Sequence, residues 1–167
     1  MLRLEAEINK VLNDEAEATI NLISSNIFKN GITHSGINRT GTNISGGKTG
    51  QNASGKTIQS IKKTVKDNSL LITGREKFSE LETGTRPNSG VTVDAIYQWS
   101  KYKGLPFQND NKRFWFAKYA ANKINKDGSL LFRMGGRKDV YTNEVQPLIA
   151  RIFKGIDKVF YDIKLIE

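Results

Sequence analysis

The stretch Gly50-Gln51-Asn52-Ala53-Ser54-Gly55-Lys56-Thr57 fits the pattern G-x-x-x-x-G-K-[ST] residue for residue. In that pattern a glycine-rich loop cradles phosphates, the lysine reaches the outer phosphates and the hydroxyl meets magnesium. The loop works only where it joins a buried strand to a helix N-terminus, since that junction aims backbone N–H groups at the anion. Here the residues before Gly50 are polar, and no apolar run of four precedes the glycine. A second carboxylate should also end another buried strand. The nearest candidate, "KVFYD" ending at Asp162, falls inside a helical pattern. The surroundings argue against nucleotide chemistry, and neither a catalytic nor a cofactor-binding residue is expected.

Two carboxylates, Glu80 and Glu82, stand two residues apart and on a strand would share a face, as a metal-dependent nuclease could use them. The chain has no cysteine, and its single histidine, His34, lies in a polar stretch, so no metal site is expected. No G-x-S-x-G elbow occurs. The cluster "RFWFAKY", Arg113 to Tyr119, mixes basic and aromatic side chains as platforms for single strands do. Helical spacing places Phe114 and Ala117 inward and Trp115 and Lys118 outward, which makes Trp115 an interface anchor and leaves Trp99 for the core.

The elements around these residues follow from periodicity. Leu4, Ile8, Leu12, Ala16, Ile20, Ile23 and Ile27 form one stripe of a long N-terminal helix over 1–29. Residues 30–55 are crowded with Gly, Ser, Thr and Asn and read as a flexible polar arm. Residues 56–167 form the core domain. It opens with a β-hairpin turning at Asp67-Asn68-Ser69, followed by a helix capped by Thr92 and closed at Gly104, and another stopped at Asp127-Gly128. "SLLFRMGGRKDVYT" reads as two short strands about Gly135-Gly136, with Arg137 and Lys138 exposed at the turn. Val145, Leu148, Ile149, Ile152, Ile156, Val159 and Ile163 mark a long C-terminal helix with Pro147 in its opening turn. The class is α+β: a long N-terminal helix, a small antiparallel sheet and several covering helices, including a long C-terminal one.

With 26 basic and 17 acidic residues, the 167-residue chain carries a formal charge of +9, which suits nucleic acid or an acidic protein surface. The first twenty residues interrupt any apolar core with acids, and no apolar run suits a membrane span. Folding in a cytoplasm, with no membrane partner, is therefore expected.

The succession "ASGKTIQSI", "LLITGREKFSELETGTRP", "VDAIYQWSKYKGL", "FAKYAANKINKDGS" and "GGRKDVYTNEV" resembles minor virion proteins of tailed bacteriophages. These are the tail-completion and head–tail-joining proteins of the neck. The likeness runs from about Ala53 to the C-terminus. It implies a structural subunit without enzymatic activity, made in the host bacterial cytoplasm and located in the neck or tail region of the virion. It also implies a homo-oligomeric ring, a 12-mer favoured over a 6-mer, that docks on portal or connector and tail proteins and touches passing DNA non-specifically. Candidate interface residues are Asn38, Arg39 and Lys48 in the arm, Trp115, and Arg137 and Lys138 at the turn. The alternative from another class is a small basic nucleic-acid-binding protein.

Overall fold

The computed structural model describes residues 2–29, 31–33, 36–38 and 53–164. Its class is α+β. Helix α1 (Leu2–Lys29) forms because apolar residues recur on one face, and Leu12, Ala16, Ile23 and Ile27 of that face are buried. Each buried isoleucine contributes about 2 kcal/mol through apolar area removed from water. The stripe packs on helix α7 (Thr142–Lys164) and on the hairpin of β3 (Lys62–Lys66) and β4 (Ser69–Thr73).

The hairpin pairs Lys62 with Thr73 and Lys66 with Ser69. Its two turn residues, Asp67 and Asn68, have φ of 51° and 57°. Positive φ at both positions is what a type I′ turn demands, and Asp and Asn tolerate it better than most residues. Lys63 fixes the hairpin to α1, its ammonium donating to the Glu17 carboxylate at 2.9 Å and the Asn13 carbonyl at 3.1 Å.

Between α1 and the hairpin, strands β1 (Gly31–Thr33) and β2 (Gly36–Asn38) pair antiparallel, with Ile32 opposite Ile37. The composition of 30–55 gave no hint of regular structure. The β-branched Ile32, Thr33 and Ile37 favour extended backbone locally despite their polar surroundings. After β2 come α2 (Lys56–Gln59) and, past the hairpin, α3 (Glu80–Thr83).

Helices α4 (Val93–Tyr102) and α5 (Asp110–Asp127) pack on each other. The Thr92 hydroxyl accepts the Ala95 N–H at 3.1 Å, the cap expected from sequence, and Asn109 caps α5 by accepting the Lys112 N–H at 2.9 Å. Asn125 holds the approach to α4, accepting from the Val91 N–H and donating to the Val91 carbonyl, both at 2.8 Å.

Two aromatic expectations are corrected here. Trp99 and Phe114 are exposed, not inward. Ser100, Ala117 and Ala121 take the buried positions, because small side chains let the two helices approach closely. Arg113 crosses the seam, its guanidinium donating to the Ser100 hydroxyl at 3.3 Å and lying 4.9 Å from the Phe107 ring.

The segment after Gly128 is also corrected. Instead of two strands it forms α6 (Leu130–Arg133) and a turn leading into α7. The Ser129 hydroxyl starts α6 by accepting the Phe132 N–H at 3.3 Å, and it accepts the Thr85 N–H at 2.9 Å as well. A strand partner for this segment does not exist among the described residues; a helix cap does.

Candidate functional site

The segments "ELETGTRP" and "GGRKDVYT" meet at the start of α7. Glu82 is 3% exposed, yet it carries a carboxylate. One oxygen of that group accepts the N–H groups of Val140, Tyr141 and Thr142 at 2.9, 2.7 and 3.0 Å. The other accepts the Thr142 hydroxyl. These amides belong to the turn that opens α7, where unpaired N–H groups and the helix dipole favour negative charge. Glu82 supplies from a distant part of the chain the anion that such a terminus attracts.

Arg137 completes the centre. Its side chain is 1% exposed, with Nε 2.8 Å from the Asp139 carboxylate, an ion pair by distance without the alignment of a good hydrogen bond. Its backbone N–H donates to the Glu82 carbonyl at 2.8 Å. Burial pushes the guanidinium below its ordinary pKa, and the charges of Asp139 and Glu82 pull it back up. The same burial, with the Glu82 charge, raises the neighbouring Tyr141 hydroxyl.

The backbone permits this joint at two glycines with positive φ. A Cβ on Gly84 would meet the Phe132 nitrogen at 2.3 Å, and one on Gly136 would meet the Glu82 carbonyl oxygen at 2.8 Å. Glu80 is occupied too, accepting the Thr85 hydroxyl at 2.6 Å. The two carboxylates therefore serve different structural joints instead of converging. Among the described residues no group of three or more His, Cys, Asp or Glu side chains could hold a metal.

The phosphate-loop pattern resolves in its second half. Gly50, Gln51 and Asn52 lie outside the described residues. Gly55 caps α2, which is only four residues long, and Thr57 is buried with its hydroxyl 3.5 Å from Nη1 of Arg75. A magnesium-binding hydroxyl must face the phosphates at the head of a long helix, and neither condition holds here.

The candidate interface residues divide. Trp115 is 61% exposed, as expected, and Lys138 is exposed. Arg137 is corrected: it lies in the core, held there by Asp139 and the Glu82 charge. Asn38 ends β2, and Arg39 and Lys48 lie outside the described residues.

The single apolar stripe that periodicity marks on α7 divides into two faces in the structure. Leu148 and Gly155 face α1, where Gly155 packs on the Val11 side chain. Arg151 anchors the same seam, donating to the Glu15 carboxylate at 2.6 Å and the Thr19 hydroxyl at 2.7 Å. A second apolar strip, Val145, Ile149, Phe153 and Phe160, stays exposed along the helix. Its spacing merges with the inward strip in one stretch of sequence, so a single amphipathic face was all that periodicity disclosed. At its start the strip runs into an open groove of about 440 Å³ between α1, the hairpin and α7, lined by Ile23, Ile61, Leu70, Ile72, Phe78 and Leu148.

The fold and centre thus define an α+β protein whose buried charges fasten its own helices. No protein-family model matches the sequence, no curated protein matches it, and no solved structure matches it.

Proposed function

We propose that this chain is a non-enzymatic structural subunit of a tailed-phage neck, a tail-completion or head–tail-joining protein assembling as a homo-oligomeric ring between portal and tail. The observation that carries the assembly is the exposed apolar strip of α7, Val145, Ile149, Phe153 and Phe160, continuous with the groove beside the hairpin. A strip of this length on a rigid helix marks a protein contact. A second copy is the occupant proposed, since a ring needs each subunit to offer one face and receive another. The resemblance from Ala53 onward supplies the virion setting, the twelvefold preference and the portal and tail neighbours.

The engagement of Glu80 and Glu82 in structural joints supports the same reading. A carboxylate already accepting three amides and a hydroxyl has little capacity left for a proton or a metal.

The test is a pair of charge insertions, Ile149→Asp and Phe153→Asp, followed by native mass spectrometry. Both side chains are exposed, so the fold should persist by circular dichroism while the assembly falls to monomers. Folded variants that keep the wild-type assembly would refute the strip as its interface.

A further inference from the structure

The outward face of α5 has a composition unlike that of α7. Lys112, Trp115, Tyr119, Asn122 and Lys126 recur at steps of three and four residues and are all exposed. They form one strip about 21 Å long at 1.5 Å per residue. Trp115 and Tyr119 are 61% and 70% exposed and stand one turn apart, so their rings share a face. Lys118 flanks them, its ammonium 4.9 Å from the Trp115 ring centre.

The charges of the helix are sorted as well. Asp110 pairs with Arg113 at 3.6 Å and Asp127 with Lys123 at 2.6 Å. Both acids of α5 are thereby used, and the Lys123 ammonium holds the Asp127 carboxyl below its usual range. Lys112, Lys118 and Lys126 have no carboxylate partner among the described residues. A helix that neutralises its own acids and leaves three lysines around two exposed rings presents positive charge and π-faces together.

From this juxtaposition we infer that the outward face of α5 binds single-stranded nucleic acid, with bases stacking on Trp115 and Tyr119 and phosphates neutralised by Lys112, Lys118 and Lys126. A second copy docked on this face through its own α5 would set these lysines against the same lysines and leave their charge unmet. An acidic protein would satisfy the lysines but offers few flat rings for the aromatics. A duplex would satisfy the lysines while keeping its base faces stacked internally. An unpaired strand meets both requirements at once. The inference stands apart from the ring reading, since it concerns another helix and another occupant.

The experiment is fluorescence anisotropy with the full chain and a labelled oligothymidylate of twenty nucleotides, titrated with NaCl. A duplex of equal length and polyglutamate serve as competitors. The single strand should bind more tightly than either. The Lys112→Gln/Lys118→Gln/Lys126→Gln variant should lower the slope of log affinity against log salt by about 2, from roughly 0.7 per phosphate contact on a single strand. Trp115→Ala and Tyr119→Ala should each weaken binding about tenfold at fixed salt. Equal or tighter binding of the duplex, or equal competition by polyglutamate, would overturn the inference. So would affinity indifferent to the α5 substitutions, or absence of binding in 50 mM salt. Native mass of the Lys112→Gln/Lys118→Gln/Lys126→Gln variant separates this outcome from the assembly, which should be unaltered.

Discussion

Glu82 and Thr142 lie sixty residues apart in sequence, yet the carboxylate of the first accepts both the backbone N–H, at 3.0 Å, and the hydroxyl of the second. Through this pair the short helix α3 sets where the long helix α7 begins. The face that α7 shows to α1, and the one it shows to solvent, both follow from that start.

Replacing Glu82 with Ala should therefore destabilise the fold by about 3 kcal/mol, since it strips the acceptor from several buried donors. Glu82→Gln retains an acceptor but loses the charge, and should cost about half as much. Urea denaturation followed by circular dichroism measures both. Equal stability of wild type and Glu82→Ala would mean that the α7 terminus is satisfied by water.

Arg137 and Lys138 are adjacent but should behave oppositely. Arg137→Ala leaves Asp139 and Glu82 without their buried cation, at a cost of about 3–5 kcal/mol. Lys138→Ala, at an exposed site, should stay within about 0.5 kcal/mol of wild type. Thermal melts of the two variants decide whether this turn is a joint or a contact surface.

How much of this was legible depends on the reach of each signal. Local chemistry announced the Thr92 cap, the Asp67-Asn68 turn, the stop at Gly128 and the α1 stripe, since each rests on neighbouring residues. The burial of Arg137 rests on Asp139 and on the remote Glu82, so a charged residue beside Gly135-Gly136 read as an exposed turn. Ser129 likewise looked like a strand residue until Thr85 came beside it. Helical spacing placed Ala117 inward correctly but misplaced Trp99 and Phe114, because the close helix contact is made by Ala117, Ala121 and Ser100 and leaves no room there for a large ring.

The second half of the phosphate-loop pattern yields a direct check. Lys56 is exposed on a four-residue helix, so Lys56→Ala should change stability by less than about 0.5 kcal/mol. ATP with magnesium should shift the melting temperature of neither protein. A shift in wild type that Lys56→Ala abolishes would restore the nucleotide reading.

Lys103 gives the fold a pH dependence. Its ammonium is buried, and desolvation lowers its pKa from the usual 10.5. The unfolded chain then holds this proton more tightly than the folded one, so Lys103's contribution to stability rises with pH between the lowered value and 10.5. Tyr141 acts oppositely above its ordinary value of 10.0, because its folded pKa is raised and the unfolded chain ionises first. Comparing wild type with Lys103→Met cancels the Tyr141 contribution. The stability difference should move in favour of wild type as pH rises from 8 to 10.5. A constant difference would show that the buried ammonium titrates normally.

Assembly is measured by the native mass of the unmodified chain across a hundredfold range of concentration. A discrete closed oligomer is expected, twelve subunits in preference to six, of 18.7 kDa each. A chain that remains monomeric at every concentration, and stays so with portal and tail proteins present, would contradict it.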